Sequence, residues 1–195
     1  MTLEKRDIPA RIDHVLETHH ALLHKELPRI AAAAADSGAP EFQEVWSEFS
    51  GFVAEHLMKE EHMLFPTAKA MVAGEDVYVT NLDGPMNQMA SEHEQIHALC
   101  DRVRASLEVG DGAAGERDAV LALLADLAVH AGLEDDELFP AISALAEEAA
   151  VAQEQREVAA RASMADKIRE MEDARPTHEG KRARLKKALG GLFGR

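Results

Sequence analysis

His56-Leu-Met-Lys-Glu60-Glu-His-Met-Leu-Phe65-Pro66 in the first half of the chain and His130-Ala-Gly-Leu-Glu134-Asp-Asp-Glu-Leu-Phe139-Pro140 in the second share one frame: a histidine, a glutamate four residues later, then Leu-Phe-Pro. On an α-helix, residues i and i+4 lie one above the other on the same face, about 6 Å apart along the axis. Imidazole and carboxylate therefore point into the same space. A single such pair is common and reads most simply as a hydrogen-bonded surface pair. Its duplication calls for more.

About 36 residues before each pair stands a second histidine set, His20 with His24 and His93 with His97, again spaced i and i+4. The chain thus reads as two related helical hairpins, each offering a His helix followed by a His-x-x-x-Glu helix.

The 195 residues suffice for one domain with a real core and an appendage. Aromatics supply only 4% of them and alanine is abundant, a composition that favours packed helices over sheets. The single cysteine, Cys100, excludes an intramolecular disulfide framework, a multi-cysteine zinc site and a cysteine-ligated iron–sulfur cluster, and reads as a small buried hydrophobe. The N-terminus has no apolar signal region and no stretch approaches the roughly 20 apolar residues of a membrane span. These features point to a cytoplasmic protein.

Along the chain, Ile12, Leu16, Leu23, Leu27 and Ile30 form a helical stripe that His20 completes, so His20 faces the core while His19 is expected to be solvated. Pro28 should bend this helix. A second helix opens near Glu41, and its apolar face runs through Phe42, Val45, Trp46, Phe49, Phe52 and Val53 into His56 and Glu60, then Met63 and Leu64. Glu55, Lys59 and Glu61 fall off that stripe. A break from Ala73 to Pro85 reads as a loop or lid. A third helix, from about Met86, places Met89, His93, Ile96, Cys100, Val103 and Leu107 on one face, with His97 one turn beyond His93. Gly110 to Gly115 is the next turn, and a fourth helix aligns Val120, Leu123, Leu127, His130, Glu134 and Leu138.

The expected architecture is therefore all-α, an up-down-up-down four-helix bundle over residues 1–148 with a charged extension over 149–195. Burying imidazoles and carboxylates in such stripes without partners would cost several kcal/mol, in the range of about 2–7 for a polar group. A metal compensates well. The inward groups are His20, His56, Glu60, His93, His130 and Glu134, and four imidazoles with two carboxylates and no thiolate suit a pair of first-row ions such as iron or manganese.

These residues carry a resemblance to hemerythrin-like (HHE cation-binding) proteins, and most to the hemerythrin domain of the iron–sulfur cluster repair family linked to nitric oxide and oxidative stress. The shared features are Ile12-Asp-His14 with His20 and Leu27-Pro28; His56-x-Met-Lys-Glu60-Glu with Leu-Phe-Pro; Ser91-Glu-His93-Glu; and His130-x-x-x-Glu134 with Leu-Phe-Pro, spanning about residues 12–142. The resemblance implies a non-haem di-iron centre with His20, His56, His93 and His130 as terminal ligands and Glu60 and Glu134 as bridges, manganese or zinc being the alternative metals. His97 resembles the second histidine of the His-x-x-x-His helix of oxygen-binding hemerythrins, which would make it a further ligand. The chain lacks the N-terminal cysteine-bearing domain of the repair proteins.

Two functions follow from the resemblance. One is a binding protein that takes up O2 or NO, or holds iron, in the oxidative and nitrosative stress response. The other is an enzyme reducing NO or peroxide at the same centre, or an iron donor for cluster repair. No nucleophile-elbow pattern supports a hydrolase. From Arg156 onward the chain carries about +5, against about −20 before it. That tail reads as helical or disordered, and its end, Lys181 to Arg195, as a weak membrane-surface or protein-docking peptide. Nucleic acid is a poor partner for the acidic body.

Overall fold

A computed structural model describes residues 3–75, 77, 82–108 and 115–173. Among the described residues every regular element is helical. After a 3-10 turn at Lys5–Asp7 the chain forms α1 (Ile8–His14), a π turn (Val15–His20) and α2 (Ala21–Ser37) as one continuous rod. The second rod is α3 (Pro40–Lys59), a π turn (Glu60–Leu64) and α4 (Phe65–Ala73). The third is α5 (Asp83–Ser106), and the fourth is α6 (Arg117–Leu133), a π turn (Glu134–Leu138) and α7 (Phe139–Asp173). The chain divides into two units, 1–150 and 151–195.

In the first unit, α3 packs against α2 and α5, and α6 packs against the same two helices, so the four rods enclose a common interior. Their buried side chains form two apolar clusters. One gathers Leu23 to Ala34, Phe42 to Leu57, Ile96 to Leu107 and Val120 to Leu127 around Trp46, whose indole N–H donates to the Leu27 carbonyl at 3.3 Å. The other gathers Ile8 to Val15, Leu64 to Met71, Leu82 to Met89 and Leu138 to Ala146. Between them, in every rod, fall buried polar residues: His19 and His20, His56 with Glu60, Glu92 and His93, and His130 with Glu134. A slab of polar side chains one or two turns thick is thus sealed on both sides by apolar packing.

The π turns set this slab. The N–H groups of Ala21, Phe65 and Phe139 reach back five residues, to the carbonyls of Leu16, Glu60 and Glu134. Each such turn admits one residue more than an α turn and shifts the faces that follow it. Pro66 and Pro140 come directly after two of these bonds. A proline ring in a regular helix collides with the carbonyl four residues back, and the widened turn relieves that collision. The Leu-Phe-Pro repeat therefore marks where two rods leave the π register.

The shift corrects expectations built on an unbroken 3.6-residue period. His19, expected in solvent, is buried, and Val15 replaces Leu16 in the first stripe. Met63, expected on the apolar face, is 66% exposed while Leu64 is buried. Glu61 and Lys59, expected to face water, are half-buried and engaged with the slab. Pro28, where a bend is expected, lies inside α2, which continues to Ser37, and α5 begins at Asp83 rather than near Met86. Cys100 is buried as expected, and burial pushes its thiol up to about 11. The expected lid between 73 and 85 is shortened from both ends, by α4 through Ala73 and by α5 from Asp83; residues 76 and 78–81 of it, and 110–114 of the Gly110–Gly115 turn, lie outside the described residues. So does the basic segment beyond 173.

In the second unit, α7 continues as far as Asp173 with Val151, Val158, Met164, Ile168 and Met171 exposed. No helix among the described residues is long and apolar enough to cross a membrane.

The contrast between Phe49, fully buried, and Met63 gives a direct check of the register. Phe49→Ala is expected to cost about 3–5 kcal/mol in urea denaturation and Met63→Ala less than about 0.5 kcal/mol.

Candidate metal centre

Four imidazole nitrogens and four carboxylate oxygens converge in the slab. They form two groups, His20–Glu60–His130–Glu134 and His56–Glu60–His93–Glu134, in each of which the donor atoms lie within 4.8 Å of one another. Both glutamates belong to both groups, and the distances show how. Glu60 Oε2 is 3.4 Å from His20 Nε2 and its Oε1 is 3.4 Å from His56 Nε2. Glu134 Oε1 is 3.0 Å from His130 Nε2 and its Oε2 is 3.3 Å from His93 Nε2. Each carboxylate turns one oxygen to each histidine pair.

Sequence spacing brings these six residues together, and the structure leaves His97 outside both groups. His93 is buried in the slab, and His97 lies four residues further along α5. There His97 is exposed, beside Cys100 and Leu127 at the rim of a small cavity.

Around the six stands a ring of carboxylates. His20 Nδ1–H donates to Glu61 Oε1 at 2.8 Å, an oxygen that also accepts from the exposed His24 at 2.7 Å. His56 Nδ1–H donates to Glu92 Oε2 at 2.9 Å, while Glu92 Oε1 accepts from Lys59 and Gln88. His93 Nδ1–H donates to Asp135 Oδ1 at 2.9 Å. A carboxylate only accepts, so each bond fixes the proton on Nδ1 and leaves the Nε2 lone pair facing inward. None of these three carboxylates was singled out from sequence. The available signal was their position beside a ligand candidate: Glu61 after Glu60, Asp135 after Glu134, Glu92 before His93.

The inner atoms fit a cation by their own chemistry. Both oxygens of Glu60 and of Glu134 are buried without a hydrogen-bond partner. A buried ionised carboxylate in that condition is strongly destabilising. His20 Nε2 and His130 Nε2 approach to 3.2 Å, His93 Nε2 and His56 Nε2 to 3.1 Å. Inward lone pairs at such distances repel unless a proton or a cation lies between them. Two imidazoles and two carboxylate oxygens per group, with the ring N–H groups held by outer carboxylates, is a donor set for a first-row divalent ion.

The same groups compete for protons. Burial disfavours the charged form of His93, but Asp135 and Glu134 outweigh it and raise the imidazole to about 10. His20 is raised likewise, with burial outweighed chiefly by Glu60, Glu134 and Glu61. Burial disfavours ionised Glu134, yet His130 and His93 prevail and hold it at about 2.

Among the described residues the elements are all helical, and a buried His/Glu slab able to hold a cation lies between two apolar clusters of a helical bundle. The comparison with protein families agrees: residues 11–142 match the Hemerythrin HHE cation binding domain. The chain belongs to that family. A comparison with curated proteins found no match.

Without metal, His93 and Glu134 impose opposite pH limits. The raised His93 contributes stability that is complete below about pH 6.5 and lost as pH rises through about 10. The depressed Glu134 contributes stability present above about pH 4.5 and lost as pH falls toward about 2. Chelator-treated protein should show a Tm plateau between those inner values, measured by circular dichroism. A divalent cation, which replaces the proton on the imidazoles, should raise the alkaline limb.

Proposed function

We propose that the chain is a non-haem di-iron protein that takes up O2 or NO, or holds iron, in the oxidative and nitrosative stress response. The observation that carries this reading is the pair of donor groups sharing Glu60 and Glu134, with one oxygen of each carboxylate turned to each histidine pair. His20 and His130 would hold one ion, His56 and His93 the other, and the two glutamates would bridge them. Bound iron would supply a redox-active centre able to take a diatomic ligand. The protein's own part is to fix the imidazoles through Glu61, Glu92 and Asp135 and to exclude water with the two apolar clusters.

Successive rods cross from one apolar cluster to the other in alternating order, which supports an up-down-up-down topology for the bundle that holds the site. The reading takes the protein as cytoplasmic, with residues 149–195 as a charged extension. His97, outside the polar slab, is not in the ligand set we propose.

The test is metal content. Protein purified anaerobically and loaded with Fe(II) is expected to hold close to two ions per chain, and its optical spectrum to change on exposure to O2 or NO. A single bound zinc with no second site after iron loading would overturn the reading. Glu60→Ala and Glu134→Ala should each lower metal content and thermal stability together. A ligand at about 100 times its Kd stabilises the native state by about 2.7 kcal/mol, and that increment disappears when the bridge is lost. Full metal content in both variants would count against the bridging assignment.

A further inference from the structure

The two halves of the chain are related by their spacing, and the outer carboxylates obey the relation. Glu61 follows Glu60 and anchors His20; Asp135 follows Glu134 and anchors His93. Glu92, the residue before His93, anchors His56. The corresponding residue before His20 should then anchor His130. That residue is His19, not a carboxylate.

The structure shows the consequence. His130 is the one inner imidazole whose Nδ1 is buried without a partner. His19 occupies the place the repeat assigns to its anchor. It is buried and stacked on the His130 ring, with centroids 5.6 Å apart and planes 9° from parallel. Its own Nδ1–H donates to Asp126 Oδ2 at 3.0 Å, so its polar edge is turned to Asp126. Stacking can hold the ring plane of His130, but it accepts no proton from Nδ1. It neither fixes the tautomer nor increases the basicity of Nε2, the two things a carboxylate at that position does.

We infer that the two cation positions are unequal by construction, the His56/His93 position binding more tightly and the His20/His130 position more weakly and exchangeably, because His19 stands where the repeat elsewhere places a carboxylate. The inference rests on the two-ion reading above. One position has both imidazoles anchored, by Glu92 and Asp135; the other has one, by Glu61. Loss of such an outer partner typically lowers metal affinity about 10- to 100-fold. A separation of that size between the two positions is therefore expected. His19 acts as a positioning residue, keeping His130 in place while leaving its ion removable.

The test is anaerobic titration of the metal-free full-length chain with Co(II), followed by its visible absorption, in the wild type and in two reciprocal variants. The first, His19→Glu with Asp126→Asn to remove the facing negative charge, supplies the missing carboxylate. It should strengthen the weaker step about 10- to 100-fold and leave the tighter one unchanged. The second, Glu92→His, copies the defect into the other half and should weaken the tighter step by a similar factor. Because Co(II) ions repel each other at adjacent sites, two unequal steps alone do not assign the positions; the direction in which each variant moves a step does. Two steps that shift as stated support the inference. A weaker step unmoved by the first variant in folded protein, or a tighter step unmoved by Glu92→His, overturns it. A total of one ion per wild-type chain would instead overturn the two-ion reading itself, whereas two ions of indistinguishable affinity would overturn only the inequality.

Discussion

Glu60 and Glu134 are fully buried, and none of their four oxygens has a hydrogen-bond partner. That condition governs the rest of the structure. Charge in a low-dielectric interior is tolerated only beside compensating charge. The nearest compensation is four imidazoles, whose protons a divalent ion can replace. Every rod contributes to the arrangement. Two deliver the glutamates and a histidine each, and the other two deliver the remaining histidines, so the bundle is closed around its polar layer as much as around its apolar side chains.

The apolar packing and the polar slab are complementary parts of one design. Clusters around Trp46 on one side and Phe65 on the other exclude water from the layer between them. Exclusion strengthens each carboxylate–imidazole contact and penalises each one left unmade. The outer ring, Glu61, Glu92 and Asp135, then carries the charge balance outward to half-buried Lys59 and exposed His24, where solvent takes over. The membership of the HHE cation binding family rests on this core, residues 11–142, and α7 beyond Ala150 lies outside it.

π turns at three of the inner positions are a local cost accepted for function. Wide turns have poorer hydrogen-bond geometry than α-helix and occur mainly where a side chain must be re-aimed. Here they turn Glu60 and Glu134 inward while letting the next residue, Glu61 or Asp135, reach an imidazole of a neighbouring rod. A regular helix would carry consecutive residues about 100° apart and could not serve both contacts as readily.

The helical class, the two apolar stripes per half and the six inward groups are legible in the residue order alone, because burial at i, i+3 and i+4 is a local property of each helix and two copies of His-x-x-x-Glu-(x)3-Leu-Phe-Pro repeat it. What depends on register between rods emerges when the rods pack, and that packing has further consequences. It placed His19 against His130 rather than in water, exposed Met63, kept His97 out of the polar layer, and gave Glu61, Glu92 and Asp135 their partners. His19, Glu61, Met63 and Asp135 escape a periodicity of 3.6 because each lies within a π turn, whose extra residue re-aims the side chains, while the placements of Glu92 and His97, on the α-helical α5, depend on how that rod packs against its neighbours. The sharing of each carboxylate between two histidine pairs is likewise a relation among four rods, set by how they pack and not by any one of them.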